Sequence, residues 1–186
     1  MRNCLRNKLK SQLMRNLSLL IIIVALGLSA CKKEEVVTGY DDSYAAWQSF
    51  KKSSNNSYSY VTYYGSWTGI YAESKITVLN GKVVGRDFFR TRTTAVPMVA
   101  DTITKWTESG VTLNTHDDGF ETLTLDQIYT KAKTELLNVS RAQNEVVFRA
   151  DNNGIVSAAG FIPNNCADDC FTGVYIKNVK VYVKSI

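Results

Sequence analysis

Ser74-Lys75-Ile76-Thr77-Val78-Leu79-Asn80-Gly81-Lys82-Val83-Val84 is the stretch on which the fold turns. Ser74 to Leu79 alternates with the period of two that marks a half-buried strand. Asn80-Gly81 is the pair best suited to the positive φ angles of a type I′ turn. Lys82 to Arg92 is read as the returning strand. A hairpin joins neighbours antiparallel, so the domain is organised around an antiparallel sheet.

Moving towards the N-terminus, Tyr58 to Tyr64 reads as another strand. Tyr58, Tyr60, Thr62 and Tyr64 lie on one face, with Ser59, Val61 and Tyr63 on the other. Before it, Asp41, Asp42 and Ser43 supply capping oxygens and favourable negative charge for a helix start. Tyr44, Trp47 and Phe50 then recur at helical spacing up to Lys52, and Ser53-Ser54-Asn55-Asn56 ends the helix.

Towards the C-terminus, residues 93–121 give no single period: Ile103 and Trp106 suit a strand or a short helix, Ser109-Gly110 breaks, and Val111 to Thr115 suits a strand. Thr124 and Gln127 match a capping box, and Leu125, Ile128, Tyr129, Ala132 and Leu136 follow as one helical stripe. Val146 to Ala150 and Ile155 to Ile162 flank Asp151-Asn152-Asn153-Gly154, a second hairpin signal. The last strand, Gly173 to Val183, sets Val179, Val181 and Val183 against Lys180, Tyr182 and Lys184. The expected class is α+β, with an antiparallel sheet of about five to seven strands and two helices packed on one face.

The N-terminal residues give an address. Arg2, Arg6, Lys8, Lys10 and Arg15 precede the aliphatic block Leu19 to Leu28, which ends in Ser29-Ala30-Cys31. Basic end, short apolar centre and small residues make an export signal, about half the length of a spanning helix. Met14 is an equally compact start, and Cys4 departs with the signal in either case. Leu28-Ser29-Ala30-Cys31 resembles the lipobox of bacterial lipoproteins. The resemblance implies cleavage before Cys31 after its sulfur has been alkylated by a diacylglyceryl group, with Leu28, Ser29 and Ala30 recognised by the peptidase. Several acyl chains then hold the protein to the membrane. Lys32, in place of an aspartate, points to the outer membrane by the enterobacterial sorting rule. Lys33-Glu34-Glu35 resembles the tether signals of surface lipoproteins of Bacteroidota, and the side of the membrane stays open. The expected organisation is signal peptide 1–30, tether 31–40 and one globular domain 41–186.

The chain carries 22 basic and 17 acidic residues. Removing the five basic side chains of residues 1–30 leaves 17 of each. A balanced mature chain lacks the concentrated basic face that nucleic-acid binding requires. Cys166 and Cys170 are the only other thiols, and an oxidising envelope favours a disulfide that pins the loop Pro163 to Phe171. A redox pair more typically reads Cys-x-x-Cys. A zinc site lacks further ligands, because His116 is the only histidine.

The order of Trp47, Tyr58-x-Tyr60, Ile76-Thr77-Val78-x-Asn80-Gly81-Lys82-Val83-Val84 and Thr124-Leu125-Asp126-Gln127-Ile128-Tyr129 resembles an uncharacterised domain family of bacterial envelope lipoproteins over residues 41–162. At Asn153-Gly154-Ile155-Val156 the chain departs from the Gly-Tyr-Pro-type strand entry of that pattern. The resemblance implies a fold grouping and no activity.

Catalytic motifs are incomplete. Gly65-Ser66-Trp67-Thr68-Gly69 lacks the central serine of a nucleophile elbow, and Ser49-x-x-Lys52 lacks the companion motifs of penicillin-recognising enzymes. His116 beside Asp117 and Asp118 is a candidate base in a polar turn. Asp117, Asp118 and Glu121, and separately Asp168 and Asp169, lack the spacing of a dedicated calcium loop. No cofactor or metal motif appears.

Tyr58, Tyr60, Tyr63, Tyr64, Trp67 and Tyr71 fall within fourteen residues. Of these, Tyr58, Tyr60, Tyr64, Trp67 and Tyr71 form the candidate ligand surface, suited to sugar rings or a protein partner. The competing reading packs one face of this strand into the core with Trp47 and Phe50. The sequence therefore leads to a non-catalytic, lipid-anchored binding or interaction module of the envelope. The alternatives are a glycan-binding accessory using Tyr58 to Tyr71, or a small hydrolase using His116. Expected partners are the membrane, through the lipid, and an envelope protein or glycan.

Overall fold

Seven antiparallel strands form one sheet in the order β4-β3-β2-β1-β7-β6-β5. The computed structural model describes residues 39–95 and 98–183, which belong to one compact unit. The lipobox residues Leu28 to Cys31 and most of the expected tether lie outside them. Two meanders build the sheet: β1 (Tyr58–Gly65), β2 (Ile70–Leu79), β3 (Lys82–Ala95) and β4 (Met98–Ser109), then β5 (Asn144–Arg149), β6 (Ala158–Pro163) and β7 (Thr172–Val181). Among the described residues the β1–β7 pairing alone joins the meanders within the sheet.

The helices are α1 (Tyr40–Ser53) and α2 (Leu125–Lys131), the latter continued by a π-turn over Ala132–Leu136. Helix α1 starts one residue earlier than the sequence suggests. Gly39, at φ 87, takes the cap position, while Asp41 and Asp42 act from the first turn and Lys51 and Lys52 from the last. Ser43 is buried, and its hydroxyl lies 2.6 Å from Tyr129 Oη. Helix α2 has the expected capping box: Thr124 Oγ1 accepts from the Gln127 N–H at 3.3 Å, and Gln127 Oε1 accepts from the Thr124 N–H at 2.8 Å. Among the described residues no helix is long and apolar enough to cross a membrane.

Both helices pack on one face of the sheet, around Tyr58. The Trp47 ring meets Tyr58 edge-on at 5.1 Å, and Tyr58 Oη accepts the Leu125 N–H at 2.8 Å. Tyr60, Ile76, Val78, Ile128, Tyr129 and Ile176 complete the centre of the core. Full burial of each such side chain contributes roughly 1.5–3 kcal/mol.

Asn80 (φ 49) and Gly81 (φ 76) form the predicted hairpin turn. Three segments differ from their sequence reading. Residues 98–109 are wholly strand, whereas Val111 to Thr115 is not: it holds a 3₁₀ turn over Gly110–Thr112 and then loop. Ile155 and Val156 leave the expected strand and turn into the core, where the Val156 N–H donates to Tyr129 Oη at 3.0 Å. In β7 the simple alternation fails at Asn178, which sits at φ 57 beside a register shift, so that Val174 and Ile176 before it and Val179 after it all face the core.

Candidate functional site

The five aromatic residues singled out from the sequence do not share a surface. Tyr58 and Tyr60 are 0% and 1% exposed, and their hydroxyls are spent on the Leu125 N–H and the Leu123 carbonyl. They belong to the core with Trp47 and Phe50. Tyr64 continues the same face beyond the cover of the helices and is 41% exposed, and Trp67, in the β1–β2 turn, is 74% exposed. Tyr71 points to the opposite face, because it pairs with Gly65 while Ala72 pairs with Tyr64.

That opposite face carries a row of half-buried rings from β7 to β3. Phe171 stacks on Tyr175 at 4.3 Å, Tyr175 on Tyr63 at 5.5 Å, and Tyr71 and Phe89 continue the row at 6.4 and 6.0 Å. Lys177 crosses it, lying 4.9 Å from the Tyr63 ring centre and bonding Glu73 at 2.8 Å and Tyr71 Oη at 2.6 Å. Burial alone would lower the Lys177 pKa, but Glu73 and Tyr71 hold it above its ordinary value. The row's polar groups are thus largely paired with one another.

A cleft opens where the two meanders part. Pairing between β1 and β7 ends at Thr62–Ile176, while β1 runs on to Gly65 and β7 begins at Thr172. Between the separated ends is a cavity of about 290 Å³, floored by Tyr60, Thr62 and Ile128 and walled by Tyr64, Phe120, Phe171 and Tyr175. Glu121, Lys131 and Asp169 supply its charges. Glu121 and Lys131 pair at 2.7 Å, and Asp169 Oδ2 accepts the Ser66 hydroxyl at 2.7 Å. The hydroxyls of Thr62, Tyr64 and Tyr175 have no partner among the described residues. The Cys166–Cys170 disulfide, with 6.2 Å between its Cα atoms, closes the loop that delivers Asp169 and Phe171 to this wall. A larger and more open hollow, of about 560 Å³, lies beyond the ridge of Tyr64 and Phe120, over Phe88, Arg90 and Arg92.

Sequence reading missed the cleft because its walls meet only through the β1–β7 pairing. The alternation of β1 puts Thr62 on the correct face, but nothing local in Phe171 or Tyr175 signals that they line the same cavity as Tyr64.

His116 occupies a different place, at the β3–β4 end of the helix-covered face. Its Nδ1 lies 2.9 Å from Glu108 Oε1, and its ring stacks on Trp106 at 4.3 Å. Glu108 is fully buried and also takes Arg86 Nε at 2.9 Å, Arg86 Nη2 at 2.8 Å and the N–H groups of Asn114 and His116 at 2.9 and 2.6 Å. Burial pushes the Glu108 pKa up, but the His116 N–H and ring, the Asn114 N–H and Arg86 outweigh it, leaving a value of about 2. Arg86 in turn donates to the carbonyls of Phe120 and His116 at 2.9 and 2.8 Å. The cluster clamps residues 114–120 over the sheet. Among the described residues no serine hydroxyl or cysteine thiol is bonded to His116, and the Glu108 lone pairs are saturated.

The remaining candidates stay apart. Asp118 accepts from Trp106 Nε1 at 3.0 Å while Glu121 pairs with Lys131, and among the described residues no group of three or more His, Cys, Asp or Glu gathers as a metal site. Ser49 donates to the Ala45 carbonyl at 3.0 Å on an exposed helix face. Comparison of the chain with protein-family models, with curated proteins and with solved structures gives no match.

Proposed function

We propose that this chain is a lipid-anchored, non-catalytic binding module of a bacterial cell envelope, and that the cleft between β1 and β7 is its ligand seat. The observation that carries the proposal is the composition of the cleft: aromatic walls, hydroxyls without partners and a mixed-charge rim, with the His116–Glu108 contact placed elsewhere and committed to holding a loop. A concave, largely apolar site with a few convergent polar groups is the usual form of a small-ligand seat. The Leu28-Ser29-Ala30-Cys31 sequence supports the anchor, and the Cys166–Cys170 disulfide accords with an oxidising compartment.

Two readouts in one bacterial strain test the proposal. Alkyne-palmitate feeding labels the wild type and leaves Cys31→Ala unlabelled; equal labelling of both rejects the anchor. A photo-crosslinking amino acid installed at Tyr64 gives an envelope adduct, whereas one installed at Asp87, on the opposite sheet face, gives none. Absence of an adduct at Tyr64 rejects the cleft as the seat.

A further inference from the structure

We infer that the β1–β7 cleft takes a ring of a neutral saccharide, a ligand class that rests on the cleft being the binding seat. Three properties of the lining converge on it. The first is shape and surface. The cavity is about 290 Å³ and is bounded by Tyr64, Phe120, Phe171 and Tyr175, at the small end of ligand pockets, which begin near about 300 Å³. Phe171 and Tyr175 stack on one another, whereas the half-exposed Tyr64 ring has no ring partner among the described residues and can accept the apolar C–H face of a pyranose, leaving its hydroxyl edge to polar neighbours.

The second property is the polar inventory. Thr62 is only 7% exposed, yet its hydroxyl opens into the cavity without a partner among the described residues. Solvent reaches that hydroxyl, and a ligand that both donates and accepts can bond to it in place of water. Tyr64 and Tyr175 add two further free hydroxyls. Asp169 uses Oδ2 on Ser66, leaving Oδ1 to accept, and Lys131 retains donors beyond its bond to Glu121. Such a set of two-way groups and separate acceptors matches the vicinal hydroxyls of a sugar better than it matches an acyl chain, which offers no hydrogen bonds.

The third property is charge. Among the described residues Glu121 and Asp169 face a single cation, Lys131, and neither Arg nor His lines the cavity. The site is therefore slightly negative and disfavours phosphates and uronic acids. The arginines Arg90 and Arg92 belong to the larger hollow, on the far side of Tyr64 and Phe120.

The test uses the full-length protein purified in lauryldimethylamine oxide, a detergent without a sugar headgroup. It is applied to an array carrying neutral glycans and uronic-acid-containing glycans, and retained sugars are then titrated calorimetrically. The expected result is retention on neutral glycans, with affinity falling about tenfold in Thr62→Val and by at least that in Phe171→Ala, and unchanged in Trp67→Ala, which alters an exposed ring outside the cavity. Addition of the retained sugar also shifts the amide resonances of Gly65 and Gly173 in the wild type, so that a variant that misfolds does not leave the matter open. Retention on uronic-acid glycans alone overturns the inference, as does no retention, or binding indifferent to Thr62→Val and Phe171→Ala with Gly65 and Gly173 unmoved. In each of these cases a crosslinked adduct at Tyr64 still upholds the cleft as a seat for another ligand.

Discussion

Arg86 on β3 and Glu108 on β4 stand directly opposite one another and form a doubly bonded ion pair, with side chains 5% and 0% exposed. The pair also collects the N–H groups and carbonyls of the loop that follows β4. It therefore fixes the course of residues 114–120, and through Phe120 it fixes one wall of the cleft. Removing one partner leaves a charge inside the protein without compensation. Arg86→Met is expected to lower the unfolding free energy by about 3–5 kcal/mol, measured by urea denaturation. The double variant Arg86→Met/Glu108→Leu recovers much of that loss. A single variant with unchanged stability would show that the pair does not hold the loop.

Acid should act through the same carboxylate. The Glu108 pKa lies at about 2, below its ordinary 4.5, so its contribution is complete above the ordinary value and disappears as pH falls from there towards 2. Urea midpoints measured across this window are expected to decline in the wild type and to decline less in Arg86→Met/Glu108→Leu. Parallel curves would remove Glu108 from the account of acid stability.

In alkali the core tyrosines take over. Burial raises the Tyr58 and Tyr60 pKa values well above the ordinary 10.0. Their contribution is complete below pH 10 and is lost as pH rises through the raised values. Phenolate absorbance is expected to show Tyr58 and Tyr60 ionising only together with loss of the circular-dichroism signal. Full ionisation of all tyrosines in a still-folded protein would contradict their placement.

Reduction of Cys166–Cys170 should separate local from global order. A loop this short contributes about 2 kcal/mol by chain entropy, so the melting temperature is expected to fall only modestly. The Ser66–Asp169 contact should loosen more, read as changed amide shifts in Thr68 and Gly69 and as weakened binding in the cleft. Global unfolding on reduction would mean that the bridge holds much more than one wall.

Strong local chemistry was readable in advance. Asn80-Gly81 admits few turns other than the one observed, and Thr124 with Gln127 marks the start of α2 to the residue. The alternation of Tyr58, Tyr60, Thr62 and Tyr64 gave the correct faces, but not which members the helices would cover. Covering is a tertiary outcome, and it separates Tyr60 from Tyr64 although they lie only two positions apart on one face. Other features depend on a partner strand. Arg86 and Glu108 read separately as ordinary surface charges, since nothing in either strand announces the register that joins them. The extra residue at Asn178 breaks a period of two that looked intact, and Ile155 and Val156 resemble strand residues because core and strand select the same aliphatic side chains.

The place of β7 in the sheet has a consequence for how the molecule is made. Among the described residues it is the last strand in sequence order, yet it lies between β1 and β6 and is the element through which the two meanders join. A polypeptide emerging from the ribosome N-terminus first can assemble β1 to β4 early, but it cannot knit the whole sheet until β7 is free. Closure of the sheet therefore waits on β7, the partner of β1 that lies farthest from it along the sequence.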